Sequence, residues 1–310
     1  MQTHQFGRTD MRITAIGLGT WALGGNQWGP QDDQESIATI QRALDLGINW
    51  IDTAAIYGLG GSEKVVGRAI KGRKQPYIFT KCSLIWDEEM QVRSSLRASS
   101  IRHEVEESLR RLDIETIDLY QIHWPNPDPE IEEGWNTLAE LKREGKVRHI
   151  GVSNFNVAQL QRAEKIAPVE TLQPPYSLIH RQAEHEILPY CQQNTIGTIV
   201  YSPMASGLLS GHMTRERIAQ LPDGDWRKQG QEFQEPRLTR NLALADLLTA
   251  IGKARNVTAG TVAIAWALHN PAVTAAIVGV RHPYQADELA IAADFHLSEA
   301  EYQQIEQFSV

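Results

Sequence analysis

Short apolar stretches alternate with amphipathic helical stretches about eight times along the sequence, and no linker or shift of composition interrupts them. This alternation constrains the fold more than any single motif. Continuous apolar runs belong to strands buried on both faces, and helices between them make the strands parallel. Eight such units predict a closed (β/α)8 TIM barrel rather than an open doubly wound sheet, and 310 residues suit one such domain spanning 1–310. A dinucleotide-binding open sheet needs G-x-G-x-x-G after its first strand. Gly17-Leu18-Gly19-Thr20-Trp21-Ala22 lacks the third glycine.

Residues 6–14, with Gly7 and Asp10 as turn residues, predict a small hairpin ahead of the barrel. Strands are expected at 16–21, 49–58, 77–81, 116–123, 147–154, 170–173, 198–203 and 275–280. Helices are expected at 33–46, 62–71, 100–112, 130–144, 157–166, 184–193, 242–255, 261–269 and 284–293. An extra C-terminal helix should start at Ser298, where Glu301 completes a capping box. Segment 204–237 is rich in Gly, Arg and Gln and has little apolar period, and a loop of this length is usually functional.

Active sites of such barrels gather where the strands end. Asp52, Tyr57, Lys81 and His123 fall at the ends of the second, third and fourth strands. Each alone has a plain structural explanation as a turn cap, a packed ring, a surface cation or a rim histidine. Together, at adjacent strand ends, they read better as a site. A lysine closing an apolar strand is seldom buried without a partner, and Asp52 is the natural one. Lys81 held in this way should lie beside Tyr57 and lower the phenol pKa from its usual value of about 10. A tyrosine so tuned can protonate a developing alkoxide. His123 can hydrogen-bond the same oxygen and orient a carbonyl.

Charge excludes other classes. The balance of 30 Lys+Arg against 38 Asp+Glu gives a net −8, and without basic blocks there is no footprint for nucleic acid or an anionic membrane. No run approaches the length needed to span a bilayer. Cys82 and Cys191 are too few for a disulfide framework, and residues 1–8 lack the apolar core of a signal peptide, so a cytoplasmic location is expected. The histidines show no metal-ligand spacing such as H-E-x-x-H, so no metal is expected.

The chain resembles the aldo-keto reductases over nearly its whole length. The resemblance rests on motifs in order: Ile51-Asp52-Thr53-Ala54 with Tyr57-Gly58 and Gly61-Ser62-Glu63, then Thr80-Lys81, Leu119-Tyr120-Gln121-Ile122-His123-Trp124, and Gly151-Val152-Ser153-Asn154-Phe155. It is most similar to the bacterial and plant branch related to the potassium-channel β subunits. By this resemblance Asp52, Tyr57, Lys81 and His123 are the catalytic positions. Ser153, Asn154 and Gln173 would hold a nicotinamide carboxamide, and Tyr201 would stack on the ring. Trp21 and Asp52 would also line the cofactor, and Ser202, Pro203, Met204, Gly207 and Leu208 would run along its pyrophosphate.

The segment after the eighth strand, with Gly279, Arg281, Gln285 and Glu288, is where family members that use NADPH place basic residues. Arg281 suits a 2′-phosphate as a planar donor. Gln285 stands where many members carry a second arginine, and Leu289 replaces a common asparagine. The resemblance therefore implies NADPH, with NADH also accepted.

A substrate pocket of Trp21, Tyr57, Trp86, His123 and Trp124 is expected to take small aldehydes or ketones. Trp28 and Trp226 would belong to a lid, and Arg227, Lys228 and Arg237 are candidates for a cationic cluster there. The reaction expected is hydride transfer to a carbonyl with Tyr57 as general acid. A cofactor-binding regulatory subunit with little turnover, and a lyase with Lys81 as a Schiff base, stay open. Oligomeric state is not readable.

Overall fold

The computed structural model of the chain describes residues 1–25 and 28–308. An antiparallel pair, β1 (Thr3–Gln5) and β2 (Arg12–Thr14), comes first. There follow β3 (Ile16–Gly19), α1 (Asp33–Asp45), β4 (Trp50–Asp52), α2 (Gly61–Ile70) and β5 (Tyr77–Cys82). A second antiparallel pair, β6 (Leu84–Trp86) and β7 (Val92–Ser94), leads to α3 (Ala98–Leu112), β8 (Ile117–Ile122), α4 (Ile131–Arg143), β9 (Val147–Ser153) and α5 (Val157–Glu164). The second half has β10 (Thr171–Gln173), α6 (Ile187–Gln193), β11 (Gly197–Tyr201), α7 (Arg215–Ala219), α8 (Arg237–Ala254), α9 (Ala259–His269), β12 (Ala275–Gly279), α10 (Pro283–Asp294) and α11 (Glu299–Glu306). Among the described residues, β3, β4, β5, β8, β9, β10, β11 and β12 close into one parallel barrel, as the alternation predicts.

Strand period places the site. Trp50, Phe79, Leu119, Ile199 and Ile277 share one apolar cluster inside the barrel, while Ile51, Ile78, Tyr120 and Val200 join the larger core beneath the helices. Two residues beyond the inward side chains, the same face carries Asp52, Lys81, Gln121 and Tyr201. The interior is narrow, and glycine makes room for its rings. A Cβ at Gly17 would stand 2.2 Å from the Trp50 indole.

Several boundaries differ from expectation, each for a local reason. β4 stops at Asp52 instead of continuing to Gly58. The Thr53 N–H still reaches the Phe79 carbonyl at 2.9 Å, but the next residues bond within a turn, with Tyr57 N to Ala54 O at 3.1 Å and Gly60 N to Ala55 O at 2.7 Å. The N-terminal hairpin begins at Thr3, and its pairing leaves Phe6 in the turn. Segment 204–237 is not bare loop, since it contains α7 and short 3-10 turns, and α8 starts at Arg237. The Ser298 capping box forms as expected. Among the described residues no helix is long and apolar enough to cross a membrane.

Candidate active site

The floor of the mouth is a buried ion pair. Lys81 Nζ donates to Asp52 Oδ1 at 2.6 Å and to the Thr53 carbonyl at 2.9 Å, and the two side chains are 0% and 3% exposed. Gln173 Nε2 donates to the other Asp52 oxygen at 2.9 Å. Burial draws Lys81 below its usual pKa, opposed by Asp52 and then Glu63. The short contact to a carboxylate keeps it a cation. A lysine committed in this way is a poor Schiff-base nucleophile.

The turn after β4 brings Tyr57 over this pair, with its ring centroid 5.3 Å from Lys81 Nζ. The His123 ring meets Tyr57 edge-on at 5.8 Å. All four expected groups thus converge. The expected proton state of Tyr57 is corrected, however. Burial, then the negative charge of Asp52 and the Tyr201 phenol, hold Tyr57 well above the usual range. Lys81 faces the ring, but with its charge engaged by Asp52 it does not outweigh these effects. Tyr57 therefore keeps its proton throughout neutral pH. His123 is held well below the usual imidazole range, first by burial and then by Lys81, so it is neutral there.

Aromatic residues wall the mouth. Trp21 stacks on Tyr57 at 6.2 Å and on Trp226 at 6.0 Å, with Trp28 edge-on to Trp21 at 5.1 Å. Trp124, 40% exposed, stacks beside His123 at 6.4 Å. Trp28 and Trp226, the expected lid residues, thus both pack against Trp21 at the mouth. Trp86 does not join this group. It sits on the β6–β7 hairpin, where its ring meets the Arg111 guanidinium at 5.8 Å. The candidate cations of the long loop are each tied to a neighbouring carboxylate: Arg227 to Asp225, Lys228 to Asp223 and Arg237 to Glu232. They form no free cationic cluster.

Ser153, Asn154, Gln173 and Tyr201 make one connected wall. The Ser153 hydroxyl donates to the Gln173 carbonyl at 2.8 Å, and Asn154 Nδ2 donates to the His123 carbonyl and to Ser153 Oγ, both at 3.0 Å. The Tyr201 hydroxyl donates to Asn154 Oδ1 at 2.9 Å. Their donors are engaged, which leaves Gln173 Oε1, Asn154 Oδ1 and Ser153 Oγ as acceptors that suit the NH2 of a carboxamide. Beyond Tyr201, Ser202, Ala205, Ser206 and Gly207 all have φ between 46° and 93°. Such left-handed turns make backbone concavities suited to phosphate oxygens. This wall, continued by Pro203, Met204 and Leu208, fits a nicotinamide dinucleotide.

The far end is more committed than expected. Arg281 donates to Gln31 Oε1 at 2.8 Å, to Trp28 O at 2.8 Å and to Pro30 O at 2.6 Å, strapping the loop before α1. Gln285 accepts the N–H groups of Arg281 and His282 at 2.8 and 3.1 Å, so its side chain caps α10. Glu288 follows one turn later on α10, and Gly279 ends β12 at the rim.

Two buried residues escaped the sequence reading. Gln121 is fully buried and its Oε1 lies 3.5 Å from Gln173 Nε2. Its signal was strand period: it stands between inward Leu119 and His123. Glu104 is the other, and its place between Ile101 and Val105 on the buried face of α3 was the available sign.

The Aldo/keto reductase family profile matches residues 15–310. Aldo-keto reductase YhdN of Bacillus subtilis is 42% identical over 286 residues, covering 91% of this chain and 86% of that protein. The NADH-specific methylglyoxal reductase of Escherichia coli is 35% identical, covering 97% of this chain and 96% of its own. The structure of glycerol dehydrogenase AKR11B4 from Gluconobacter oxydans superposes with a TM-score of 0.91 at 37% identity, covering 99% of this chain and 94% of that one. With every barrel strand inside the matched span, and relatives of similar length sharing a third or more of the sequence, this chain belongs to the aldo/keto reductase family, oxidoreductases that use nicotinamide cofactors.

Proposed function

We propose that the chain reduces small aldehydes and ketones, with Tyr57 as the proton donor. The observation that carries this reading is the buried Lys81–Asp52 pair, 2.6 Å apart, beneath a protonated Tyr57 that also meets His123. Ser153, Asn154 and Gln173 would hold the carboxamide of the nicotinamide, Tyr201 would cover its ring, and Ser202 to Leu208 would hold the phosphates. When bound, the nicotinamide supplies the hydride that reduces the carbonyl carbon.

The chain's own groups do the rest. The substrate oxygen sits between the Tyr57 hydroxyl and the neutral His123 ring, which fixes its direction. Tyr57 passes its proton to that oxygen as negative charge develops. Lys81, 5.3 Å from the ring centroid, stabilises the phenolate left behind, and Asp52 keeps Lys81 in place. Trp21 and Trp124 supply flat apolar walls that exclude water and suit small carbonyl compounds, the class named in the methylglyoxal-reducing relative.

NADPH is the favoured cofactor through the positive charge of Arg281, with NADH accepted. Because the Arg281 donors already bind Gln31, Trp28 and Pro30, the preference should be small, under about tenfold, or about 1.4 kcal/mol. One relative is named as NADH-specific, which agrees with a weak preference.

Tyr57→Phe should lower aldehyde turnover by roughly 10²–10⁴-fold, the usual contribution of a positioned general acid. Binding of NADPH and NADH, followed by nicotinamide fluorescence, should stay close to wild type. Unchanged turnover would overturn the mechanism. Wild-type protein that binds cofactor but turns over none of an aldehyde panel would favour the regulatory reading instead.

A further inference from the structure

Behind Lys81, on the side away from the barrel axis, β5, β8 and α3 enclose a carboxyl group that the proposed chemistry does not use. Glu104 is 6% exposed. Its Oε2 accepts the Ser83 N–H at 2.9 Å and its Oε1 accepts the Ser100 hydroxyl at 3.2 Å. Among the described residues no cation pairs with it, because Arg111 on the same helix is bound to Glu63 at 2.6 Å.

What Ser83 does makes this contact informative. It stands two residues after Lys81 with φ at 86°, a left-handed conformation that a residue with a Cβ keeps only when its surroundings impose it. Its hydroxyl lies 3.3 Å from both the N and the O of Trp124. Its carbonyl accepts the Ser95 N–H at 3.1 Å, and the carbonyl just before it, on Cys82, accepts the His123 N–H at 3.1 Å. One strained residue therefore joins the end of β5, which carries Lys81, to the end of β8, which carries His123 and Trp124.

We propose that Glu104 is a positioning residue of the active site: by holding the Ser83 N–H it fixes the turn after Lys81, and through that turn it sets where His123 and Trp124 stand against Tyr57. The inference rests on the carbonyl-reductase reading. It adds to that reading a residue which touches neither substrate nor cofactor.

Protonation should grade this clamp, since a carboxylate accepts an N–H more strongly than a carboxylic acid. Burial pushes Glu104 up to about 7, opposed by the Ser100 hydroxyl, the Ser83 N–H and Arg111. The groups facing it are Cys82 from β5, Tyr120 from β8, Glu63 from α2 and Arg111 from α3. Burial holds the Cys82 thiol and the Tyr120 phenol well above their usual ranges, so both stay neutral, and Glu63 and Arg111 neutralise each other. His123 and Tyr57 titrate well outside this window, on opposite sides. Among the groups facing it, Glu104 is thus the one held near neutrality, and the clamp is tight above the transition and loose below it.

Glu104→Gln keeps an oxygen for the Ser83 N–H but cannot ionise. Wild type and variant are compared through neutral pH with saturating NADPH and one small aldehyde, alongside the ¹⁵N-labelled Ser83 amide resonance. Wild-type kcat/KM should fall as pH drops through about 7, and the Ser83 amide should shift over the same interval. In Glu104→Gln both changes should vanish, with the aldehyde KM raised about threefold or more, as for a weakened charge-assisted contact, and with NADPH affinity unchanged.

Ser83→Ala, which keeps the N–H and loses the hydroxyl, should raise the aldehyde KM while its amide still titrates. A wild-type pH profile and KM in Glu104→Gln, or a Ser83 amide that does not move through neutrality, would overturn the inference. If Glu104→Gln does not fold, the wild-type amide titration and Ser83→Ala still decide it. Wild type that reduces no carbonyl at any pH would instead refute the proposed function, and the amide titration would still report on the clamp.

Discussion

Lys81 and Asp52 form an ion pair in which both side chains are buried. Charges at that depth cost more in desolvation than an ordinary contact returns, so the pair is expected to be conditional: stable together and costly apart. Lys81→Met should lower the unfolding free energy by about 3–5 kcal/mol, because it leaves the Asp52 carboxylate buried without a cation. Adding Asp52→Asn should restore most of that, since the amide is neutral and its oxygen can still accept from Gln173. Urea unfolding of both single variants and the double variant tests this, and losses that simply add would show the two residues uncoupled. Asp52, Lys81 and His123 were legible because each stands at or beside the end of a strand that the apolar pattern marks clearly. The proton state of Tyr57 was not. It depends on burial, on the nearby Asp52, and on Tyr201, which β11 brings in from far along the chain.

At the scale of elements, the sequence pattern carried the existence of strands and helices better than their ends. β4 has three residues where a run of ten was expected, because hydrogen-bonded neighbours, not apolarity, decide where a strand stops. The β6–β7 hairpin left no trace in the pattern, since Val92, Arg93 and Ser94 are exposed and have no buried face to alternate with. Gln285, expected beside the cofactor, has a side chain that caps α10. The turn after β4 yields a prediction of its own. A Cβ at Gly58, whose φ is 59°, would stand 2.3 Å from the Gly24 carbonyl oxygen, where the loops bearing Trp21 and Tyr57 cross. Gly58→Ala should therefore push these loops apart, costing about 1–3 kcal/mol of stability as overpacking does. It should lower kcat/KM for an aldehyde by more than that loss of folded protein explains. Far-UV circular dichroism, urea unfolding and steady-state kinetics on one preparation separate the two effects. Wild-type turnover would show that the 6.2 Å Trp21–Tyr57 stack is not needed.

The whole molecule divides along the barrel axis into an end that reacts and an end that holds. The N-terminal hairpin closes the holding end with Phe6, Met11 and Ile13, all fully buried, and the Phe6 ring stacks on Phe79 at 5.8 Å. It also rests on Gly197, where a Cβ would come within 2.5 Å of the ring. The hairpin is tethered as well as packed. His149 of β9 bridges Asp10 at 2.8 Å and Glu170 at 2.9 Å, so a turn residue of the plug is bonded into the barrel wall. That hairpin was expected from the turn residues Gly7 and Asp10, but its role as a plug was not, because only closure of the barrel creates the opening it fills. In barrels of this kind the floor contributes stability and the rim contributes chemistry. Phe6→Ala should therefore cost about 3–5 kcal/mol, as removing a fully buried ring does elsewhere. At temperatures where the variant stays folded, kcat and KM should remain those of wild type, because Trp50, Phe79 and Leu119 still separate the cavity from Asp52 and Lys81. Thermal unfolding and steady-state kinetics, measured below the transition, decide the matter. A turnover that falls in step with stability would mean that the plug also braces the rim, and that the two ends are mechanically one.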